Sequence, residues 1–192
     1  MFFAKNKFLN KPFKPIITSE LIMGKTNMPK IEVKKASIAN AEVDAIVNPA
    51  NSFGYMGGGV AGVIKKVGGQ VIEDEAIAQA PVQVGEAILT SAGDLICHKI
   101  IHAPTMHNPA EKTDAHKVFC AAKAALELAD KEGFRSIAMP GMGTGVGGLD
   151  KLEAAKTIVK AVNSTKFQNL EKILLIDIND EMVEAFEKVL KS

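Results

Sequence analysis

Two glycine runs and two asparagines are the residues of this chain whose types and spacing suggest chemistry. Residues 48–62 read NPANSFGYMGGGVAG, and residues 141–148 read GMGTGVGG. Each run contains a G-x-G-x-x-G, which alone is a weak signal. Glycine lets a backbone approach a ligand closely and adopt positive φ. A helix opening behind such a turn presents free N–H groups and a partial positive charge. Two such turns facing each other would clamp a diphosphate through the main chain. Arg135 is the only arginine. A bidentate guanidinium clamp on phosphate is therefore nearly excluded, and backbone N–H groups or lysines must hold any anion. A Walker A loop fails, because no Lys-Ser/Thr follows either run. A dinucleotide-binding Rossmann turn fits poorly, because the first run starts well beyond its strand and no acid ends a next strand at the usual distance.

The elements that must position these residues alternate along the chain. Strands are predicted at 31–35, 43–47, 86–90, 99–102, 136–139 and 173–176 from short apolar or alternating runs. Helices are predicted between them. The first carries Val60, Val63, Ile64 and Val67 inward and stops at Gly68-Gly69, and a second runs over 70–80. A third, over 113–133, has Thr113 or Asp114 as cap and Val118, Ala122, Ala125, Leu126 and Ala129 inward. Asp150 opens a fourth with Leu152, Ala155, Ile158, Val159 and Val162 inward. Asn179 or Asp180 caps a fifth with Met182, Val183, Phe186, Val189 and Leu190. Strands alternating with helices predict an α/β sheet covered on both faces. In such sheets ligands sit beyond the carboxyl ends of the strands, where both glycine runs fall.

Composition bounds the rest. The chain has 192 residues, 47% apolar and 23% charged, enough for one substantial core. A net charge of +1 gives no broad case for nucleic acid or a membrane surface. No apolar run approaches the roughly 20 residues of a membrane helix. Cys97 and Cys120 fit a reduced, cytoplasmic protein better than a disulfide scaffold. Residues 1–29 differ from the remainder: Phe2, Phe3, Phe8 and Phe13 stand among lysines, with Glu20 the one acid. They read as an N-terminal extension without a signal-peptide core. A surface-packed extension, a start assigned too early (Met23 or Met28), a basic aromatic arm and a targeting segment stay open. His98, His102, His107 and His116 show no zinc-ligand spacing with the cysteines, so no metal is expected. His102 reads as a strand-end histidine bonded within the fold. His116 and Cys120 lie one turn apart on a core-facing helix, a poor setting for a nucleophile. Lys65 and Lys66 read as solvated surface.

VDAIVNPAN with GGGVAGVIKK, then VGEAILTSAGDL, KIIHAPT and SIAMPGMGTGVGG, in this order, resemble the macrodomain family. The resemblance runs from about Lys30 to the C-terminus, so residues 30–192 would be the macrodomain. GTGVGG before a helix looks particularly like small stand-alone bacterial or archaeal members. The resemblance implies a three-layer α/β/α fold with a mixed, mostly parallel sheet. It implies ADP-ribose, ADP-ribose 1″-phosphate, O-acetyl-ADP-ribose or an ADP-ribosylated protein as ligand, and no cofactor. Asn51 matches the asparagine that contacts the distal ribose and is the one residue offered for a catalytic role. Asn48 shapes the same turn and reaches toward the ligand. Gly57, Gly58, Gly59, Val60 and Ala61 match the loop around distal ribose and diphosphate. Gly143, Thr144, Gly145, Val146 and Gly147 match the second phosphate loop. A carboxamide can donate to and accept from ribose hydroxyls, although for both asparagines an Asx turn is the competing role.

Three departures stand out. The usual Gly-Asp-Ile after the first strand is Ala36-Ser37-Ile38 here, so Ser37 and Ile38 face the adenine position without a carboxylate. Gly147 stands where many members carry an aromatic, and near the last strand Asp177-Ile178 stands where an aromatic often packs on adenine. Asp177 is a candidate replacement acceptor, and Phe53 and Tyr55 are the nearest aromatics. Ala61 occupies the place of the aspartate found in the best-known de-ADP-ribosylating subclass. The readings left open are a binding module, a hydrolase of ADP-ribose 1″-phosphate or ADP-ribosyl esters by a substrate-assisted route, and a divergent member with another nucleotide or RNA ligand.

Overall fold

The computed structural model describes residues 28–192, so readings of the chain through residue 27 lie outside it. The elements are β1 (Lys30–Lys35), a 3-10 turn (Ile38–Asn40), β2 (Ala45–Asn51), α1 (Gly59–Gly68), α2 (Val71–Ala78), β3 (Ile88–Ser91), β4 (Lys99–Met106), α3 (Ala115–Lys131), β5 (Ser136–Met139), α4 (Lys151–Ser164), β6 (Lys172–Asp177) and α5 (Asp180–Leu190). The six strands form one sheet in the order β1-β6-β5-β2-β4-β3. Only β3 is antiparallel to its neighbour.

The period of two along each strand sorts side chains into two cores. Ala45, Val47, Ile101, Ala103, Ile137, Met139, Ile173 and Leu175 face α3, α4 and α5. Ile46, Ile100, Ala138, Leu174 and Ile176 face the other way, toward Ile64 of α1 and Ile72 of α2. Both faces of the central strands are dry, which is why they read as short continuous apolar runs. The fold is the expected three-layer α/β/α arrangement with a mixed, mostly parallel sheet.

Three helices start on side-chain caps. Asp114 accepts from Lys117 N, Asp150 from Glu153 N at 3.0 Å, and Asn179 from Met182 N at 3.1 Å. The expected inward faces of α3 and α4 are buried, with Leu152 half-buried at the margin, whereas Leu190 of α5 is exposed.

Two expectations need correction. Strand β2 runs on to Asn51, so Asn48 and Asn51 lie in the strand, not in the turn after it. Pro49 does not stop it, because β5 pairs with β2 only at Ala45 and Ile46 and the rest of β2 is laddered to β4 alone. In α1 the buried residues are Ala61, Ile64 and Gly68, while Val63 and Val67 are exposed. The helix docks through its small residues: a Cβ on Gly68 would lie 2.5 Å from Ile72 Cδ1 and 2.8 Å from Ala92 O. Of the four expected residues, Ile64 is buried and Val60 packs on the same core, while Val63 and Val67 turn to solvent.

Candidate functional site

Strands β2 and β5 are hydrogen-bonded neighbours, and each ends in one of the glycine loops. Beyond β5 the sheet continues to β6, ending at Asp177, and to β1, followed by Ser37. The topology thus brings the sequence-predicted residues to the carboxyl ends of four adjacent parallel strands.

The first loop is built by Asn51. Its Oδ1 accepts from Phe53 N (3.1 Å) and Tyr55 N (3.3 Å), and its Nδ2 donates to Tyr55 O (2.8 Å). This is the Asx-type role, and it leaves one Nδ2 hydrogen for a ligand. Met56 plugs the base of the loop, and its N–H donates to Glu73 Oε1 at 2.6 Å. Glu73 Oε2 also accepts from Lys65 Nζ (2.9 Å) and Gln70 Nε2 (2.7 Å). Burial pushes the Glu73 carboxyl up, but Lys65, the Met56 N–H and Gln70 outweigh it and hold it below its ordinary range. Lys65 is therefore a paired structural cation, not the free surface charge expected.

Above this base Gly57, Gly58 and Gly59 are exposed, and a Cβ on any of them would meet nothing within 4 Å. Gly58 caps α1 without a side-chain bond, and no acid stands in the first turn. The first helical bond runs from Gly62 N to Gly58 O. The N–H groups of Gly59, Val60 and Ala61 thus have no intrahelical partner, which makes the helix start a ready anion site. Ala61 itself is buried in the α1-side core.

The second loop is constructed differently. Thr113 N donates to Gly147 O (3.0 Å), Leu149 N to Gly143 O (3.0 Å), and Gly141 N to Asp177 Oδ2 (3.1 Å). A Cβ on Gly143 would lie 2.7 Å from Thr113 Cγ2, and one on Gly147 would lie 2.7 Å from Gly143 O. Only Gly145, with nothing within 4 Å of its Cβ position, opens outward among Gly143, Gly145 and Gly147. Among the described residues, the N–H groups of Thr144, Gly145 and Val146 have no partner. The helix behind this loop does not offer a free N-terminus, contrary to expectation: Asp150 caps α4 and Glu153 lies in its first turn. A carboxylate already fills the place where an anion would sit.

Ser37 is half-buried and makes no side-chain cap bond, and Ile38 is buried beside it. The Asp177 carboxylate is engaged on both oxygens, Oδ2 by Gly141 N and Oδ1 by Asn179 N (2.9 Å). Ile178 and Val146 are strongly exposed. The remaining candidates separate from the site. His116 is exposed and lies 3.7 Å from Sγ of the half-buried Cys120, at the margin of α3, a helix that faces the core as expected. Among the described residues no three His, Cys, Asp or Glu side chains gather as a metal site. A surface hollow of about 470 Å³ between α2, β3 and α3 contains none of the candidate ligand-binding residues. Its lining includes Pro81, Glu86, Glu127 and Lys131, side chains with no chemistry in common, so the glycine loops hold the stronger chemical case.

The Macro domain family profile matches residues 47–158, which contain both glycine loops. The chain belongs to the macrodomain family. An uncharacterized protein of Aquifex aeolicus is 56% identical to this macrodomain over 160 residues, 83% of this chain and 97% of that one. Another, from Aeropyrum pernix, is 42% identical over 158 residues, 82% of this chain and 84% of that one. A Trypanosoma brucei macrodomain solved in complex with ADP superposes with a TM-score of 0.74 at 26% identity, covering 83% of this chain and 68% of that one. Its complex with ADP-ribose gives a TM-score of 0.73 at 25% identity over the same shares. An Oceanobacillus iheyensis macrodomain, at 23% identity and a TM-score of 0.76 over 86% of this chain and 93% of that one, shares the fold.

Sequence reasoning missed the residues that support this macrodomain's loops. Glu73 lies in a helix with little amphipathic signal, and Thr113 looked only like a cap. Neither carries a local motif, because each acts on a loop distant in sequence.

Proposed function

We propose that this macrodomain binds ADP-ribose or a close derivative across the two glycine loops. The observation that carries the reading is the bare backbone at Gly57, Gly58, Gly59 and Gly145 on loops from adjacent strands. A diphosphate fits there without arginine, held by the N–H groups opening α1 and those at the tip of the second loop. Asn51 offers its spare Nδ2 hydrogen to the distal ribose. The adenine end lies toward Ser37, Ile38, Asp177 and Ile178. The ligands of the Trypanosoma brucei relative support the same class.

Binding is favoured over hydrolysis because position 61 is a buried alanine and supplies no carboxylate to activate water. An ADP-ribosylated protein is a fitting partner, since the distal ribose carries the attachment point. In this reading residues 30–192 form the macrodomain, residues 1–29 an extension, and the protein works in the cytoplasm.

Calorimetry with ADP-ribose and AMP tests this directly, with Gly58→Glu as the blocking variant. Gly58 has φ −172°, which any residue adopts, so the substitution fills the site without straining the turn, unlike Gly59 at φ +58°. We expect ADP-ribose binding by the wild type and none by Gly58→Glu with an unchanged melting temperature. No heat from the wild type at millimolar ADP-ribose would reject the proposal. Turnover of an ADP-ribosyl-glutamate peptide that is lost in Asn51→Ala would establish hydrolysis instead.

A further inference from the structure

Asn48, His102 and Thr90 form a buried polar set that the proposed binding does not explain. All three are nearly or fully inaccessible, on adjacent strands β2, β4 and β3, with Asn48 in register with His102. The Thr90 hydroxyl donates its single hydrogen to Ser91 O at 3.0 Å. With that hydrogen on Ser91 O, the 2.9 Å contact with His102 is assigned to the tautomer in which Nε2 is the donor. Burial keeps this imidazole neutral, with a pKa lowered to about 4. A neutral ring with its proton on Nε2 has a lone pair on Nδ1, which accepts from Asn48 Nδ2 at 3.1 Å.

The donations thus run from the Asn48 NH2 on β2 through His102 and Thr90 to a strand carbonyl on β3, which fixes the Asn48 carboxamide. Its NH2 points to His102. Its Oδ1 is left buried with no partner among the described residues. An unmatched buried acceptor is rare enough to require an explanation. Asn48 lies three positions before Asn51 on the strand that delivers the first glycine loop.

We propose that His102 is a positioning residue that holds Asn48 Oδ1 as an acceptor for a hydroxyl of the bound ligand. The inference rests on the ADP-ribose reading and adds a selectivity rule to it. The group received at Asn48 must be a hydrogen-bond donor, as a ribose hydroxyl is, and a phosphate oxygen is refused. If Asn48 were free to turn, its NH2 could face the ligand and the discrimination would fall.

The test compares ADP-ribose with ADP, which lacks the distal ribose. His102→Phe removes the Nδ1 acceptor at similar volume, and His102→Gln restores an acceptor and a donor. Calorimetry should show ADP-ribose weakened about tenfold in His102→Phe, ADP unchanged within about twofold, and selectivity recovered in His102→Gln. Thr90→Val, which releases the ring to change tautomer, should lose the same selectivity and serves if His102→Phe does not fold. Long-range proton–nitrogen spectra of the wild type should show His102 protonated on Nε2 and shifts of the Asn48 side-chain amide on adding ADP-ribose. Equal losses for both ligands, no loss for either, or a proton on Nδ1 would overturn the positioning role while leaving ADP-ribose binding intact. A wild type that binds neither nucleotide would overturn the binding reading and this proposal together.

Discussion

The two glycine loops look alike in sequence and are opposite in construction. In the first, Gly57, Gly58 and Gly59 face open space, and the support beneath them is polar: Asn51, Glu73 and Lys65. In the second, Gly143 and Gly147 are packed against Thr113, Val118 and the loop's own backbone, and Gly145 is the open one. The first loop leads into an uncapped helix start, the second into one already occupied by Asp150. Glycine therefore means ligand approach in one loop and dense packing in the other. The two also divide the electrostatics, since a dipole-borne positive end is free only at α1.

Alanine substitutions test this contrast most sharply. Gly143→Ala places a methyl on Thr113 Cγ2 and Val118 Cγ2 at φ +78°, and we expect a loss of about 3 kcal/mol in urea unfolding. Gly58→Ala should change stability by less than about 0.5 kcal/mol. Equal effects at the two positions would erase the distinction.

Acid should act through the polar layer behind the first loop. His102 titrates near 4 in the fold against an ordinary 6.5. Between these values the unfolded chain gains a proton that the folded chain refuses. Its contribution is therefore intact above pH 6.5 and is lost as pH falls toward 4, by about 3 kcal/mol in all. Urea midpoints measured at pH 7, 6 and 5 should fall steadily in the wild type and stay flatter in His102→Gln. The lowered carboxyls of Glu73 and Asp130 add their losses at lower pH, below their ordinary 4.5 and 3.8.

Glu73→Ala removes the acceptor beneath Met56 N and strands Lys65, so a loss of about 2 kcal/mol is expected, with weaker ligand binding. Unchanged binding affinity would mean the first loop is shaped without it. At Ser37, on the proposed adenine side, a gain is expected instead of a loss. Ser37→Asp should tighten ADP-ribose and AMP by roughly 1.5 kcal/mol, about tenfold, in calorimetry. No gain would place Ser37 away from adenine.

Much of the fold was legible because it rests on local signals. Strand β5 has its expected bounds, and the caps at Asp114, Asp150 and Asn179 fall at or beside the expected positions. Where the reading slipped, neighbours decided. Pro49 sits inside a strand because one side of β2 is unpaired there. Val63 and Val67 of α1 face solvent because Gly68 and Ala61 let that helix come closer. The glycine loops were found by composition, but their different roles were not, since a glycine carries no record of what stands where its side chain would be.

The sequence by itself determined the family, the layer order and the two loops, through ordered motifs and two periodicities that act over a few residues. Only the tertiary structure decided which glycines are bare, which helix start is free, and that Asn48 is held by a histidine 54 residues away. Those depend on distances between segments that meet only when the sheet forms, and pairwise contacts across such separations leave no local pattern to read.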